Sequence, residues 1–192
     1  MSYTFFRALL RFLYKILFRV KAIDTHHIPN EGAVILASNH ISLLDPPLVG
    51  ILIKRKVHFM AKEELFKIPV LGWLIRSFGA YPVKRGSGID AVKASIKLLK
   101  DEKVMGIFPE GTRKQADEAK KGTAMIALRS KAKVIPVAIV GEYKLFKTTK
   151  VVYGEPLDVL PIAEQAEGDK YDAVTDAIME KIEILKKKNS EL

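Results

Sequence analysis

The run Ala33-Val34-Ile35-Leu36-Ala37-Ser38-Asn39-His40-Ile41-Ser42-Leu43-Leu44-Asp45 decides how this chain folds. Its opening residues are apolar and partly β-branched with no polar alternation, the pattern of a short strand buried on both faces of a sheet. The strand should end at Asn39-His40 and deliver an imidazole to the sheet's rim. After Asp45 come Pro46-Pro47 and the apolar residues 48–53. That order predicts a short helix with Asp45 as its N-cap and the prolines at its first two positions. A missing N–H is harmless there, and a residue before proline is already held out of the α region. So little N–H is left to cap that the Asp45 carboxylate is available to accept a hydrogen bond from His40. A neutral imidazole held by a carboxylate on one nitrogen presents a basic lone pair on the other. This is the base–orienter half of a catalytic triad, with no nucleophile supplied by the protein.

The same grammar repeats outward. Strand-like runs recur at 33–38, 57–60, 80–83, 104–108, 134–140 and 151–153. Between them, Ile89, Val92, Ile96 and Leu99 carry helical spacing, as do Met125, Ile126 and Leu128, and then Val174, Ile178, Ile182 and Leu185. Alternating strands and helices predict an α/β domain with a mixed or largely parallel sheet flanked by helices. Such sheets bind ligands beyond the carboxyl ends of their strands, and both His40 and Glu110 follow one. The chain's 192 residues suit a single domain with a real core.

Composition removes several function classes. Cysteine is absent, which excludes disulfides, a thiol nucleophile and a Cys-based metal site. His26, His27, His40 and His58 lack recognised metal-ligand spacing, so no metal is expected. A net charge of +10 calls for an anionic partner. Nucleic acid fits poorly, because the aromatics cluster with leucines instead of alternating with basic residues along a groove. The charge is concentrated at the start, where Arg7, Arg11, Lys15, Arg19 and Lys21 precede the first acidic residue, Asp24. Among them lie Phe5, Phe6, Leu9, Leu10, Phe12, Leu13, Tyr14, Ile16, Leu17 and Phe18. The repeated charges disqualify a signal peptide or a clean transmembrane span. Residues 1–23 are expected to be an amphipathic helix in the plane of a membrane interface, with 24–192 the main domain. A helix packed on the domain with its basic strip in water is the alternative. Residues 65–78, which hold Trp73, read either as core or as an apolar rim beside a lipid site.

Four boxes in register then point to a family. These are Asn39-His40 through Asp45, Gly79-Ala80-Tyr81-Pro82-Val83-Lys84-Arg85, Phe108-Pro109-Glu110-Gly111-Thr112-Arg113 and Val134-Ile135-Pro136-Val137. With Ala61-Lys62-Glu63-Glu64-Leu65 and Ile68-Pro69-Val70-Leu71-Gly72-Trp73 between them, the chain resembles the glycerolipid acyltransferases of the lysophosphatidate (1-acylglycerol-3-phosphate) type over residues 25–155. The resemblance implies transfer of a fatty acyl group from a thioester, acyl-CoA or acyl-carrier protein, to the sn-2 hydroxyl of lysophosphatidic acid, giving phosphatidic acid. No cofactor beyond that co-substrate is implied. His40 would be the general base and Asp45 its orienter. Lys84, Arg85, Glu110, Gly111, Thr112 and Arg113 would bind substrate, with Arg85 and Arg113 clamping the phosphate and Lys84 helping where the family more often carries an acidic residue. Pro136 would shape the thioester side. Ser42 is expected to serve the turn, not the chemistry. A peripheral place on the cytoplasmic side of the cell membrane follows. Two other readings stay open: a relative acting on glycerol-3-phosphate or another lysophospholipid, and a non-catalytic protein that docks on anionic membranes.

Overall fold

The computed structural model describes residues 3–84, 88–110 and 116–190. Its elements in chain order are α1 (Tyr3–Phe18), β1 (Lys21–Ile23), β2 (Val34–Ser38), α2 (Asp45–Ile51), β3 (Val57–Lys62), α3 (Pro69–Ser77), β4 (Tyr81–Val83), α4 (Gly88–Lys100), β5 (Val104–Ile107), α5 (Ala116–Ser130), β6 (Lys133–Val140), β7 (Lys150–Tyr153), α6 (Leu160–Glu164) and α7 (Lys170–Ser190). The strands join in the order β1-β7-β6-β2-β5-β3-β4. Every pairing is parallel except β6 with β7. The expected α/β domain with a mostly parallel sheet is therefore what forms.

β2 is central, paired on both sides, and all five of its residues are buried. Its alternate residues divide the core. Val34 and Leu36 face a cluster with Leu48, Val49 and Ile51 of α2, Leu52 just after it and Tyr14 of α1. Ile35 and Ala37 face the opposite cluster, built with Val92 and Leu99 of α4, Ala124, Ile126 and Ala127 of α5, and Val174, Ile178 and Ile182 of α7. The period-2 alternation of a strand thus feeds two layers of helices at once. At the sheet's amino end the Arg55 guanidinium gathers three carbonyls, of Pro29, Gly32 and Glu102, at 3.1, 2.7 and 2.6 Å.

The expected helix over 1–23 is shorter. α1 stops at Phe18, Arg19 takes a left-handed φ of 42°, Val20 is buried, and Lys21–Ile23 form the edge strand β1 on β7. The basic stripe is also not uniform: Arg7 donates to the carbonyls of Ile53 and Lys54, whereas Arg11, Lys15 and Arg19 are exposed. α1 packs on the domain along Leu10, Tyr14 and Phe18 and leaves a second apolar face, Phe5, Leu9, Phe12, Leu13, Ile16 and Leu17, in the open. No described helix is long and apolar enough to cross a membrane. The stretch 65–78 is mostly not core: Phe66 and Gly72 are buried, but Leu65, Ile68, Val70 and Trp73 are exposed.

Candidate active site

Three adjacent parallel strands end at the same edge of the sheet, in the order β6, β2, β5. Beyond β2 the chain is pinned by Asn39, whose buried side chain accepts from the Ile139 N–H at 2.8 Å and donates to the Ile139 carbonyl at 3.1 Å. That bidentate tie to β6 fixes where the next residue, His40, leaves the sheet.

His40 Nδ1 lies 2.8 Å from Asp45 Oδ2. The same oxygen accepts the N–H groups of Ile41 and Ser42, each at 2.7 Å. Asp45 is not the N-cap that the sequence suggests. α2 already begins at Asp45, Leu44 is the capping position, and Pro46 and Pro47 fall one position further in. The reason is the turn before it: the Asp45 N–H donates to the Ser42 carbonyl, and the carboxylate folds back over the loop to collect its amides. Ser42 serves that turn as expected, its hydroxyl accepting the Leu44 N–H at 3.2 Å. Asp45 is fully buried and His40 about 30% exposed. Burial by itself would push the Asp45 carboxyl up. The hydrogen bonds from His40, Tyr143, Ser42 and Ile41 outweigh it and hold the group below the usual carboxylate range.

The imidazole is also held by its face. Phe108, just past β5, stacks on it at 4.3 Å and 25°, and Phe59 of β3 continues the stack on Phe108 at 5.8 Å and 16°. Gly106 makes room for this column, since a Cβ there would overlap the Phe59 ring. His40 is therefore fixed along two directions, by a carboxylate in its plane and an aromatic against its face. Among the described residues the ring's hydrogen bond is the one at Nδ1.

Lys84 is exposed just beyond β4, three strands along from β2 at the same edge. It shares a pocket of about 440 Å³ with Glu63, Phe66, Lys67, Arg76 and Pro82. The Arg76 guanidinium lies 5.2 Å over the Phe66 ring. Lys67 and Arg76 belong to no box in the sequence: the 3-10 turn at 63–67, packed against both β4 and α3, brings them to Lys84. Glu110 is half-buried past the end of β5. Arg85, Gly111, Thr112 and Arg113 lie outside the described residues.

An imidazole held in its plane by a buried carboxylate, at the carboxyl edge of a parallel sheet, is an arrangement suited to taking a proton from a bound hydroxyl. The acyltransferase family model matches residues 19–140, and the chain belongs to that family. It is 33% identical over 181 residues to the 1-acyl-sn-glycerol-3-phosphate acyltransferase of Bacillus subtilis (strain 168), covering 90% of this chain and 91% of that one. It is also 33% identical over 172 residues to the enzyme of the same name from Streptococcus pneumoniae, covering 84% of this chain and 65% of that one. The crystal structure of the 1-acyl-sn-glycerophosphate (LPA) acyltransferase PlsC from Thermotoga maritima superposes with a TM-score of 0.68 at 26% identity, over 95% of this chain and 78% of that one.

Proposed function

We propose that this enzyme transfers a fatty acyl group from an acyl thioester, acyl-CoA or acyl-carrier protein, to the sn-2 hydroxyl of 1-acyl-sn-glycerol-3-phosphate, yielding phosphatidic acid. The observation that carries the reading is the 2.8 Å contact between His40 Nδ1 and Asp45 Oδ2 in a chain whose relatives bear that activity's name. An alcohol is a poor nucleophile at neutral pH, so His40 Nε2 takes the hydroxyl proton as the oxygen attacks the thioester carbonyl. General-base help of this kind is worth roughly 10²–10⁴-fold. Asp45 holds the required tautomer and stabilises the imidazolium. When the tetrahedral intermediate collapses, the C–S bond breaks and His40 returns the proton to the departing thiolate.

The acceptor's phosphate needs cations. Lys84 with Lys67 and Arg76 supplies one group; Arg85 and Arg113 are assigned to the same task by their boxes, guanidinium being suited to bidentate phosphate contacts. Glu110, Gly111 and Thr112 complete the acceptor side. The enzyme works as a peripheral protein on the cytoplasmic side of the cell membrane. Support for this comes from the apolar face of α1 and its neighbours. Phe6 meets Trp73 edge-on at 5.2 Å, Tyr14 donates to the Leu44 carbonyl beside the 90%-exposed Leu43, and Leu17 accepts from Phe146. The exposed apolar residues of α1, α3 and the loops at 41–44 and 145–146 thus adjoin one another, with Arg11, Lys15 and Arg19 for anionic headgroups.

Incubating the protein with lysophosphatidate and a radiolabelled acyl thioester should give labelled phosphatidic acid, and His40→Ala should abolish it. Transfer to glycerol-3-phosphate in preference to lysophosphatidate would reassign the acceptor.

A further inference from the structure

The Asp45 carboxylate has a second oxygen, and the dyad does not use it. Oδ1 accepts the hydroxyl of Tyr143 at 2.6 Å, a donor nearly a hundred residues distant in sequence. Tyr143 stands just past the end of β6, where Gly141, at φ 103°, turns the chain back over the sheet edge. A Cβ at Gly141 would lie against the Thr148 carbonyl, so the turn that aims Tyr143 suits glycine on two counts. The phenol is kept protonated: burial pushes its pKa well up, and the bond to Asp45 and the charge of that carboxylate push it further. It is a fixed donor.

What holds Tyr143 is α1. The Phe18 ring meets the Tyr143 ring edge-on at 5.4 Å and 86°, and Tyr14 meets Phe18 at 5.8 Å and 67°. Tyr14 in turn donates to the carbonyl of Leu44, the residue immediately before Asp45, at 3.2 Å. Two aromatic struts therefore run from one face of the N-terminal helix to the orienting carboxylate, one through Tyr143 and one through the loop backbone.

We propose that Tyr143 is a positioning residue for the His40–Asp45 pair, and that α1, through Phe18 and Tyr14, sets where it stands. The inference rests on the reading of His40 as the base. Oδ1 held by Tyr143 stops the carboxylate from rotating, so that Oδ2 stays on His40 Nδ1. The ionisable groups around Asp45 are His40, Tyr143 and Tyr14, and Tyr14 is likewise pushed up, by burial first and then by Asp45.

Tyr143→Phe removes one oxygen and keeps the ring. It should lower kcat about ten- to hundredfold with KM for lysophosphatidate unchanged, the rate equivalent of one lost hydrogen bond to a charged group. With Oδ1 released, the carboxylate can turn and Oδ2 spends less time on Nδ1, so the imidazolium loses support. The acid limb of the kcat profile should then move to lower pH, and the His40 Nδ1 proton resonance should move upfield. Phe18→Ala should change kcat, the limb and the resonance in the same directions by smaller amounts. A merely structural role would lower Tm and leave the limb and the resonance in place. The resonance needs no substrate, so it tests the inference even if lysophosphatidate proves not to be the acceptor. Wild-type kcat and resonance in Tyr143→Phe would overturn the positioning role, and wild-type values in Phe18→Ala would overturn the part given to α1.

Discussion

The two faces of the sheet are covered in opposite ways. On one, α4, α5 and α7 close over Ile35, Ala37, Met105 and Val134 with buried residues at regular helical spacing, and the large apolar side chains left in the open there are scattered singly, Ile89, Leu160 and Ile184 among them. On the other, α1 and α2 also bury a core stripe, but the outer side of that layer stays apolar. Phe12 is 60% exposed, Val70 78% and Trp73 50%. The polar network of the site runs under this second layer only, from Tyr14 to Leu44 and from Tyr143 to Asp45 to His40. Both sides of the sheet hold a core, but the hydrogen-bonded network and the open apolar surface fall on the same one. The first face is finished as a protein interior. The second is finished on the inside and left incomplete on the outside.

That division can be attacked in order of effect. The sharpest test is Asp45→Asn. It should retain the fold by circular dichroism yet lose about a thousandfold or more in kcat, because an amide supports the wrong imidazole tautomer. Near wild-type turnover in that variant would dissolve the dyad. On the closed face, Ile178→Ala should cost about 2–5 kcal/mol in a denaturant titration with KM untouched in the folded enzyme; a selective rise in KM would show that the two sides are not separate. On the open face, replacing Leu9, Phe12 and Ile16 by glutamine should leave Tm within a few degrees of wild type and release the protein from anionic vesicles, as read by sedimentation. If Tm falls steeply instead, this face is covered in the native protein. Lys67→Ala and Arg76→Ala should raise KM for lysophosphatidate several-fold each with the donor's KM unchanged. Movement of the donor's KM alone would reassign the pocket to the thioester.

The smallest effect concerns acid. Asp45 titrates lower folded than unfolded, so its contribution is fully present above the usual carboxylate range. It is lost as pH falls from that range through the lowered folded value. Asp45→Asn should accordingly flatten the acid side of the stability curve, and acid unfolding followed by fluorescence checks this.

The sequence yields the parts of this comparison unevenly, for physical reasons. β2, β5, β6 and β7 are legible because buried strands are short apolar runs, and α7 because Val174, Ile178 and Ile182 repeat every four residues. β1 is invisible: it is three residues long, begins with lysine and exists only by pairing with β7 at an edge. His40 and Asp45 are legible because they are five apart and joined by a local turn. The N-cap reading of Asp45 misses by one position, because its carboxylate turns back to the amides of Ile41 and Ser42 and not forward into α2. Tyr143, Lys67 and Arg76 carry no local signal, since each reaches its place only through tertiary packing. Phe108 is inside a recognisable box, yet nothing in that box says its ring lies against His40.

The join between α1 and the sheet is only Arg19 and Val20, the latter buried. So short a link leaves α1 no freedom to swing as a leash. On the proposed seating at a membrane, the enzyme would have one tilt and one depth, with the His40 edge of the sheet at a constant height above the lipid. The proposed acceptor would then be found by a two-dimensional search at fixed orientation, and only the proposed thioester donor would be met by diffusion through water.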